Sequence, residues 1–373
     1  MRKPFRERLG KERLYCDGAT GTILQQKGLK GGELPETWNL TRPQDIVEMN
    51  RGYFEAGSDI VNTNTFGANA LKFPDNLKDI VEAGVKLAMQ ARVEAGREDD
   101  AYVALDIGPT GKLLAPMGDL PFEKAVELFA ETIRYGAAAG ADLVLIETMS
   151  DSLEAKAAVL AAKENCDLPV LVTVIFDEGG KLLTGGTPET VVPLLEGLHV
   201  DALGINCGQG PKQMIDMAKK LCELATIPVI VNPNAGLPRS EGGRTVYDVS
   251  PEEFAEDMAK IASLGVHVLG GCCGTTPEHI RAEIAATRNI PMQELRKQRT
   301  HAVVTSFAQA VEIGRRPVII GERINPTGKK KFQQALRDHQ IEYILQQGTE
   351  QEDAGADILD VNVGIPDIDE PVL

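Results

Sequence analysis

The chain has 373 residues, 43% of them apolar, 25% charged and only 5% aromatic, with a formal net charge of −16. So acidic a surface repels phosphate backbones and anionic lipids, which discounts nucleic acid and membrane surfaces as partners. No apolar run nears the roughly 18 residues of a membrane span. The basic N-terminus MRKPFRERLGKERL lacks the apolar stretch of a secretory signal, so a cytoplasmic location is expected.

Eight β-rich runs follow in order: RLYCDGA from Arg13, SDIVNTNTF from Ser58, YVALDIG from Tyr102, ADLVLIET from Ala141, LPVLVTVIF from Leu168, DALGINC from Asp201, IPVIVNP from Ile227 and GVHVLGGCC from Gly265. They are continuously apolar, as parallel strands covered on both faces must be. Between them lie segments with apolar spacing near 3.6, such as PFEKAVELFAETIRYGAAAG and SPEEFAEDMAKIASLG. Several end at Gly just before the next strand (EAGSDIV, AAGADLV, SLGVHVL), the signature of a helix C-terminus. Eight such units predict an α/β fold of the (β/α)8 TIM-barrel type over residues 1–288. An open doubly wound sheet ranks below it, because DGATGT is not the GxGxxG turn of a dinucleotide site. Residues 289–316 are polar and irregular and read as a linker with a short helix. Residues 317–373 open a new strand–helix–strand pattern: PVIIGERIN, a helix from about Lys331 to Gly355, then ADILDVNVG. A barrel needs ~250 residues, so this tail reads as the incomplete start of a second α/β barrel, and the chain as a fragment of a longer protein.

Active sites of such barrels lie at the C-terminal ends of the strands. There the runs leave Asp17, Thr63 to Phe66, Asp106, Glu147, Thr173 to Phe176, Cys207, Asn234 and the pair Cys272 and Cys273. Three cysteines on one rim are the makings of a tetrahedral zinc site with an open position. Three thiolates leave Zn²⁺ near −1, a poor maker of hydroxide but able to hold a substrate thiol in its deprotonated form. Cys16, Cys166 and Cys222 read instead as inert packing thiols. Asp17 and Glu147 could grip an ammonium, and the N–H groups of the turn Asp17–Gly21 a carboxylate. The rim therefore suits a small amino-acid thiol.

The motifs DGATGT, NTNTFGAN, DIGPTGKLL, IETMSD, GINCG, PNAG and GGCCGTTPEHI, in that order from residue 13 to about 285, resemble the homocysteine S-methyltransferase family. The resemblance implies a zinc-dependent methyltransferase of methionine biosynthesis that takes L-homocysteine. Its zinc ligands match Cys207, Cys272 and Cys273, its amine-binding carboxylates match Asp17 and Glu147, and its carboxylate-binding amides fall near Ala19 and Thr20; Asn234, in PNAG, joins the substrate-binding set. GERINPTGKKKF and DAGADILDVNVG look like the start of the methyltetrahydrofolate-binding barrel of cobalamin-dependent methionine synthases, where Glu322, Asn325, Asp360 and Asn362 match positions facing the pterin. That implies methylcobalamin and methyltetrahydrofolate as cofactors of the full-length protein, and its cobalamin module as a partner.

Two other readings stand beside this one. A stand-alone methyltransferase could use betaine or S-methylmethionine, with Trp38 stacking on the cationic donor, although packing suits Trp38 better. A non-catalytic zinc or redox protein would need a fourth ligand, for which His267 or His279 would have to serve.

Overall fold

The structure is a computed structural model that describes residues 2–241, 244–296, 298–366 and 368–370. It forms two compact units, Met1–Gln298 with Phe307–Gln309, and Arg299–Ser306 with Ala310–Leu373.

In the first unit all eight runs become strands: β1 (Leu14–Tyr15), β2 (Ile60–Asn62), β3 (Tyr102–Ile107), β4 (Leu143–Met149), β5 (Val170–Val174), β6 (Ala202–Asn206), β7 (Val229–Asn232) and β8 (Val268–Leu269). They form one parallel sheet in the order β1-β8-β7-β6-β5-β4-β3-β2. The ends meet where Asp59 N–H donates to Tyr15 O at 2.7 Å, closing the (β/α)8 barrel. The inside is filled by small and aliphatic groups, among them Leu14, Cys16, Ile60, Ala104, Leu145, Leu171, Ala202, Ile230 and Val268. Phe5, from the N-terminal segment, packs edge-on against Tyr102 with ring centroids 5.1 Å apart. A larger apolar layer lies between the strands and the surrounding helices.

The helices begin and end where local chemistry says they must. Ser250 and Glu253 form a reciprocal capping box at the start of Pro251–Ser263. Helices Pro43–Ala56 and Phe122–Ala139 end on Gly57 and Gly140 with φ of 113° and 101°, which an L side chain rarely adopts. Among the described residues no helix is long and apolar enough to cross a membrane.

In the second unit, Ile320–Ile324 and Ile358–Val361 pair in parallel. Ile324, Phe332, Leu336 and Ile365 form a small core beneath them. Two expectations are corrected here. The stretch read as a linker with a short helix holds an antiparallel hairpin, Ala302–Thr305 with Ala310–Ile313; its β-branched residues suit a ladder better than a helix. The single helix from about Lys331 to Gly355 is two, Lys330–Arg337 and Ile341–Asp353, separated at His339 by a φ of 50°.

Candidate metal and substrate site

β6 ends at Asn206, and Cys207 follows in the left-handed region with φ of 57°. Its N–H donates to Asn232 O at 3.0 Å. Beyond β8, Cys272 N–H donates to Pro233 O at 2.8 Å, and Cys273 O accepts from Ala235 N–H at 2.9 Å. The turns after β6, β7 and β8 are thus tied together by backbone bonds. They bring the three sulfurs within 4.8 Å of one another, with Cys207 Sγ 3.9 Å from Cys273 Sγ. Bonds of about 2.3 Å from zinc to sulfur give tetrahedral sulfur–sulfur edges of about 3.8 Å, so the trio fits that ion. Among the described residues no fourth His, Cys, Asp or Glu joins the cluster. His279 is engaged at its own helix start, with Nδ1 against Thr276 N–H and Nε2 against Val249 O; His267 is buried just before β8.

The thiols share their protons unequally. Hydrogen bonds from Cys207 and Cys272 hold Cys273 well below the usual thiol range. Cys272 is raised by its bonds to Cys207 and Cys273 and by burial. For Cys207 the bond with Cys272 lowers the value, but the bond with Cys273 and burial outweigh it, and the net shift is upward. The cluster already stabilises one thiolate, and a cation would stabilise the rest.

Three carboxyl groups belong to the same rim. Asp17 is buried, with Oδ2 accepting the Asn62 N–H at 2.7 Å. Burial pushes it up to about 7. Glu147, on β4, is raised to about 8 by burial and then by the charges of Asp17 and Cys273. Asp106, on β3, is raised by burial and by the charges of Glu147 and Asp17, and its Oδ1 is buried without a hydrogen bond. Three carboxyl groups repelling one another in a buried rim are a site for a cation. Nearby, the Ala19 N–H already donates to Thr275 Oγ1 at 3.2 Å, whereas Thr20 opens the helix Gly21–Gln26, whose first N–H groups have no intrahelical partner. Asn234 is buried; its N–H donates to Gln209 O at 2.9 Å, and its Oδ1 accepts no hydrogen bond.

Sequence reasoning passed over Asn206. Its Oδ1 accepts from Thr148 N–H and Thr173 Oγ1, each at 2.9 Å, and its Nδ2 donates to Thr148 Oγ1 at 2.8 Å and to Cys272 Sγ at 3.8 Å. The side chain ties β4 and β5 to a metal-side sulfur. The residue lay in plain sight within GINCG, but its partners are 58, 33 and 66 residues away. Trp38 is buried, donates to Glu33 at 2.8 Å and carries Arg42 over its ring at 3.8 Å. Its face is therefore taken by the protein's own cation. Cys16 is buried inside the barrel, Cys166 caps the helix Ser152–Asn165, and Cys222 lies within Pro211–Leu224.

In the second unit, Asp360 and Asn362 line an open cleft of about 830 Å³ with Glu370. Asn362 and Asn325 each accept a backbone N–H two residues on, at 2.9 Å. Glu322 is exposed beside Arg323 at 3.7 Å and does not line that cleft.

Residues 14–287 match the model of the homocysteine S-methyltransferase family. The methionine synthase of Mycobacterium leprae is 34% identical over 383 aligned positions, covering 96% of this chain and 32% of that protein. That of Mycobacterium tuberculosis is 35% identical over 369 positions, 93% of this chain and 31% of the relative. The chain thus spans about a third of the length of these relatives. Among solved structures, the metallated form of the homocysteine methyltransferase MmuM from Escherichia coli superposes with a TM-score of 0.63 at 25% identity, covering 74% of this chain and 96% of that one.

Proposed function

Since this chain belongs to the homocysteine S-methyltransferase family, we propose that its barrel binds L-homocysteine and readies the thiol for methyl transfer, giving methionine. The observation that carries this reading is the approach of Cys207, Cys272 and Cys273 to tetrahedral-edge spacing with no fourth protein ligand among the described residues. These cysteines would hold zinc, with its fourth position left to the substrate sulfur. Zinc bound there supplies one thing, the holding of a thiol as thiolate at neutral pH. The chain's own groups do the rest. Asp17 and Glu147, their values raised by burial while the site is empty, would release their protons to solvent as an ammonium arrives and grip it as carboxylates. The amides at Ala19 and Thr20 face the carboxylate, with the Thr20 N–H the more available of the two. Asn234 Oδ1 offers a neutral acceptor in the same shell.

The methyl group would come from methyltetrahydrofolate by way of methylcobalamin, held by modules of a longer protein. The methionine synthase relatives and the parallel pair in the second unit support this. In this reading residues 1–288 are the homocysteine module, 289–316 the connection and 317–373 the start of the pterin-binding domain, with Glu322, Asn325, Asp360 and Asn362 toward the pterin. A cytoplasmic location belongs to the same proposal. The covered face of Trp38 weighs against a betaine-type donor stacked there.

The test is zinc-edge X-ray absorption and proton release on the zinc-loaded chain, with and without L-homocysteine. A change from three sulfur ligands to four, with protons released, is expected. A zinc shell already full and unchanged by homocysteine would overturn the reading, as would a Cys207→Ala variant that kept zinc and methyl transfer.

A further inference from the structure

We propose that Asn206 is a positioning residue: its side-chain amide clamps the bulge that carries Glu147 and so fixes that carboxylate relative to the three sulfurs. The inference rests on the roles proposed above for Glu147 and the cysteines. It concerns how the ammonium and the thiol of one substrate are accepted together.

Between the pairs Ile146–Val172 and Met149–Val174, β4 advances three residues where β5 advances two. The extra residue makes a bulge at Glu147 and Thr148, a device that re-aims side chains at barrel rims. Thr148 sits in it with φ of 62°, a conformation that is costly for a β-branched side chain. Such a conformation persists only where its surroundings over-determine it. Asn206 supplies those surroundings from β6, reaching across β5. Its Oδ1 accepts the Thr148 N–H at 2.9 Å, and its Nδ2 donates to Thr148 Oγ1 at 2.8 Å. Thr173, on the intervening β5, donates its hydroxyl to the same Oδ1 at 2.9 Å. Asn206 and Thr173 are both buried, so water cannot take over these bonds.

The amide also turns toward the sulfurs. Its Nδ2 donates to Cys272 Sγ at 3.8 Å, and Cys207 follows Asn206 directly in the chain. One side chain therefore holds the residue after Glu147, touches one sulfur and is covalently next to another. Homocysteine bound as proposed spans the same gap, with its amine on Glu147 and its thiol at the sulfurs. Asn206 is the protein's strut across that gap. A substrate gains from both contacts at once only when the two ends are held at its own length.

The test is calorimetry on the zinc-loaded chain with L-homocysteine and with γ-mercaptobutyrate, which has the same thiol and carboxylate but no amine. The ratio of the two affinities is the readout. Asn206→Ala is expected to lower the preference for homocysteine by about tenfold, because the amine contact depends on the bulge. A merely structural role would weaken both thiols alike, and an unmoved ratio would overturn the proposal. Asn206→Asp keeps, in the same volume, an acceptor for the Thr148 N–H and the Thr173 hydroxyl, and should retain the wild-type preference. An Asp variant as unselective as the Ala variant would also overturn it. A wild-type chain that bound neither thiol, or both alike, would instead sink the reading of Glu147 and the cysteines, so the two failures are told apart.

Discussion

Asp59 holds Arg8 and the first barrel strand at once: Oδ1 takes the Arg8 guanidinium at 2.8 Å, and Oδ2 accepts the Tyr15 N–H at 3.0 Å. The same device recurs before every second strand as far as β6. Asp142 accepts the Val103 N–H at 2.8 Å and pairs with Arg2 and Arg92. Asp201 accepts the Val170 N–H at 2.8 Å and pairs with Arg6 at 2.6 Å. One short N-terminal segment, through Arg2, Arg6 and Arg8, therefore stitches the starts of β2, β4 and β6 across the bottom of the barrel. In the second unit Asp357 repeats the pattern, accepting the Ile319 N–H at 2.9 Å and pairing with Arg316.

Replacing Asp59 with Ala leaves the Arg8 charge short of a buried partner and the Tyr15 N–H without its acceptor. A loss of about 2–3 kcal/mol is expected, read as a lower urea midpoint at unchanged m-value. The zinc affinity of the folded variant should match wild type, since the opposite end of the barrel carries the cysteines.

Stripping zinc should leave the barrel folded. Its core is a closed parallel sheet with apolar layers inside and out, and nothing in that packing involves the sulfurs. Far-UV circular dichroism is expected to be unchanged by chelator, while the thermal midpoint drops because a ligand of the native state has been removed. Homocysteine binding by calorimetry should disappear.

Proton release on homocysteine binding should depend on pH in a definite direction. Asp17 and Glu147 have values of about 7 and about 8 in the empty site. Near pH 7 an ammonium arriving between them expels their protons in addition to the thiol proton, so more than one is released. The number should fall as pH rises past about 8, because the carboxyl groups are by then already ionised. Glu147→Gln should release up to one proton fewer near neutrality. Calorimetry in buffers of different ionisation enthalpy measures this.

The same shift acts on stability in the metal-free, substrate-free chain. Glu147 is raised from 4.5 to about 8, chiefly by burial. Its folded-state preference for the proton is fully present below the unfolded value and is lost as pH rises through the folded one. The thermal midpoint should therefore decline between about pH 5 and 9, and Glu147→Gln should flatten that decline. An equally steep profile in the variant would contradict the assignment.

The barrel was readable because parallel strands covered on both faces must be apolar throughout. Runs such as LVLIE and VLVTV carry that mark, and the glycines at 57 and 140 punctuate the helices before them. The sulfur cluster was readable because its ligands sit at two strand ends within distinctive Gly-flanked turns. Three features were not. The hairpin from Ala302 to Ile313 is half-exposed and short, so its alternation is weak. The left-handed conformations of Thr148 and Cys207 are imposed by neighbours rather than by residue type. Asn206 reaches the Cys272 sulfur, 66 residues away, through a contact that only the folded barrel creates.

The turn that carries Asp17 and the turn that carries Cys272 are joined directly. Gly271 N–H donates to Asp17 O at 2.9 Å, and the Tyr53 hydroxyl bridges Ala19 O and Thr275 O. These bonds cross the seam between the first strand and the last, so the amine grip and the sulfur trio assemble in one event. During synthesis the first fifth of the chain has to wait, unfinished, until residue 275 has left the ribosome. A break in that seam would therefore loosen the Asp17 turn and the Cys272 turn together.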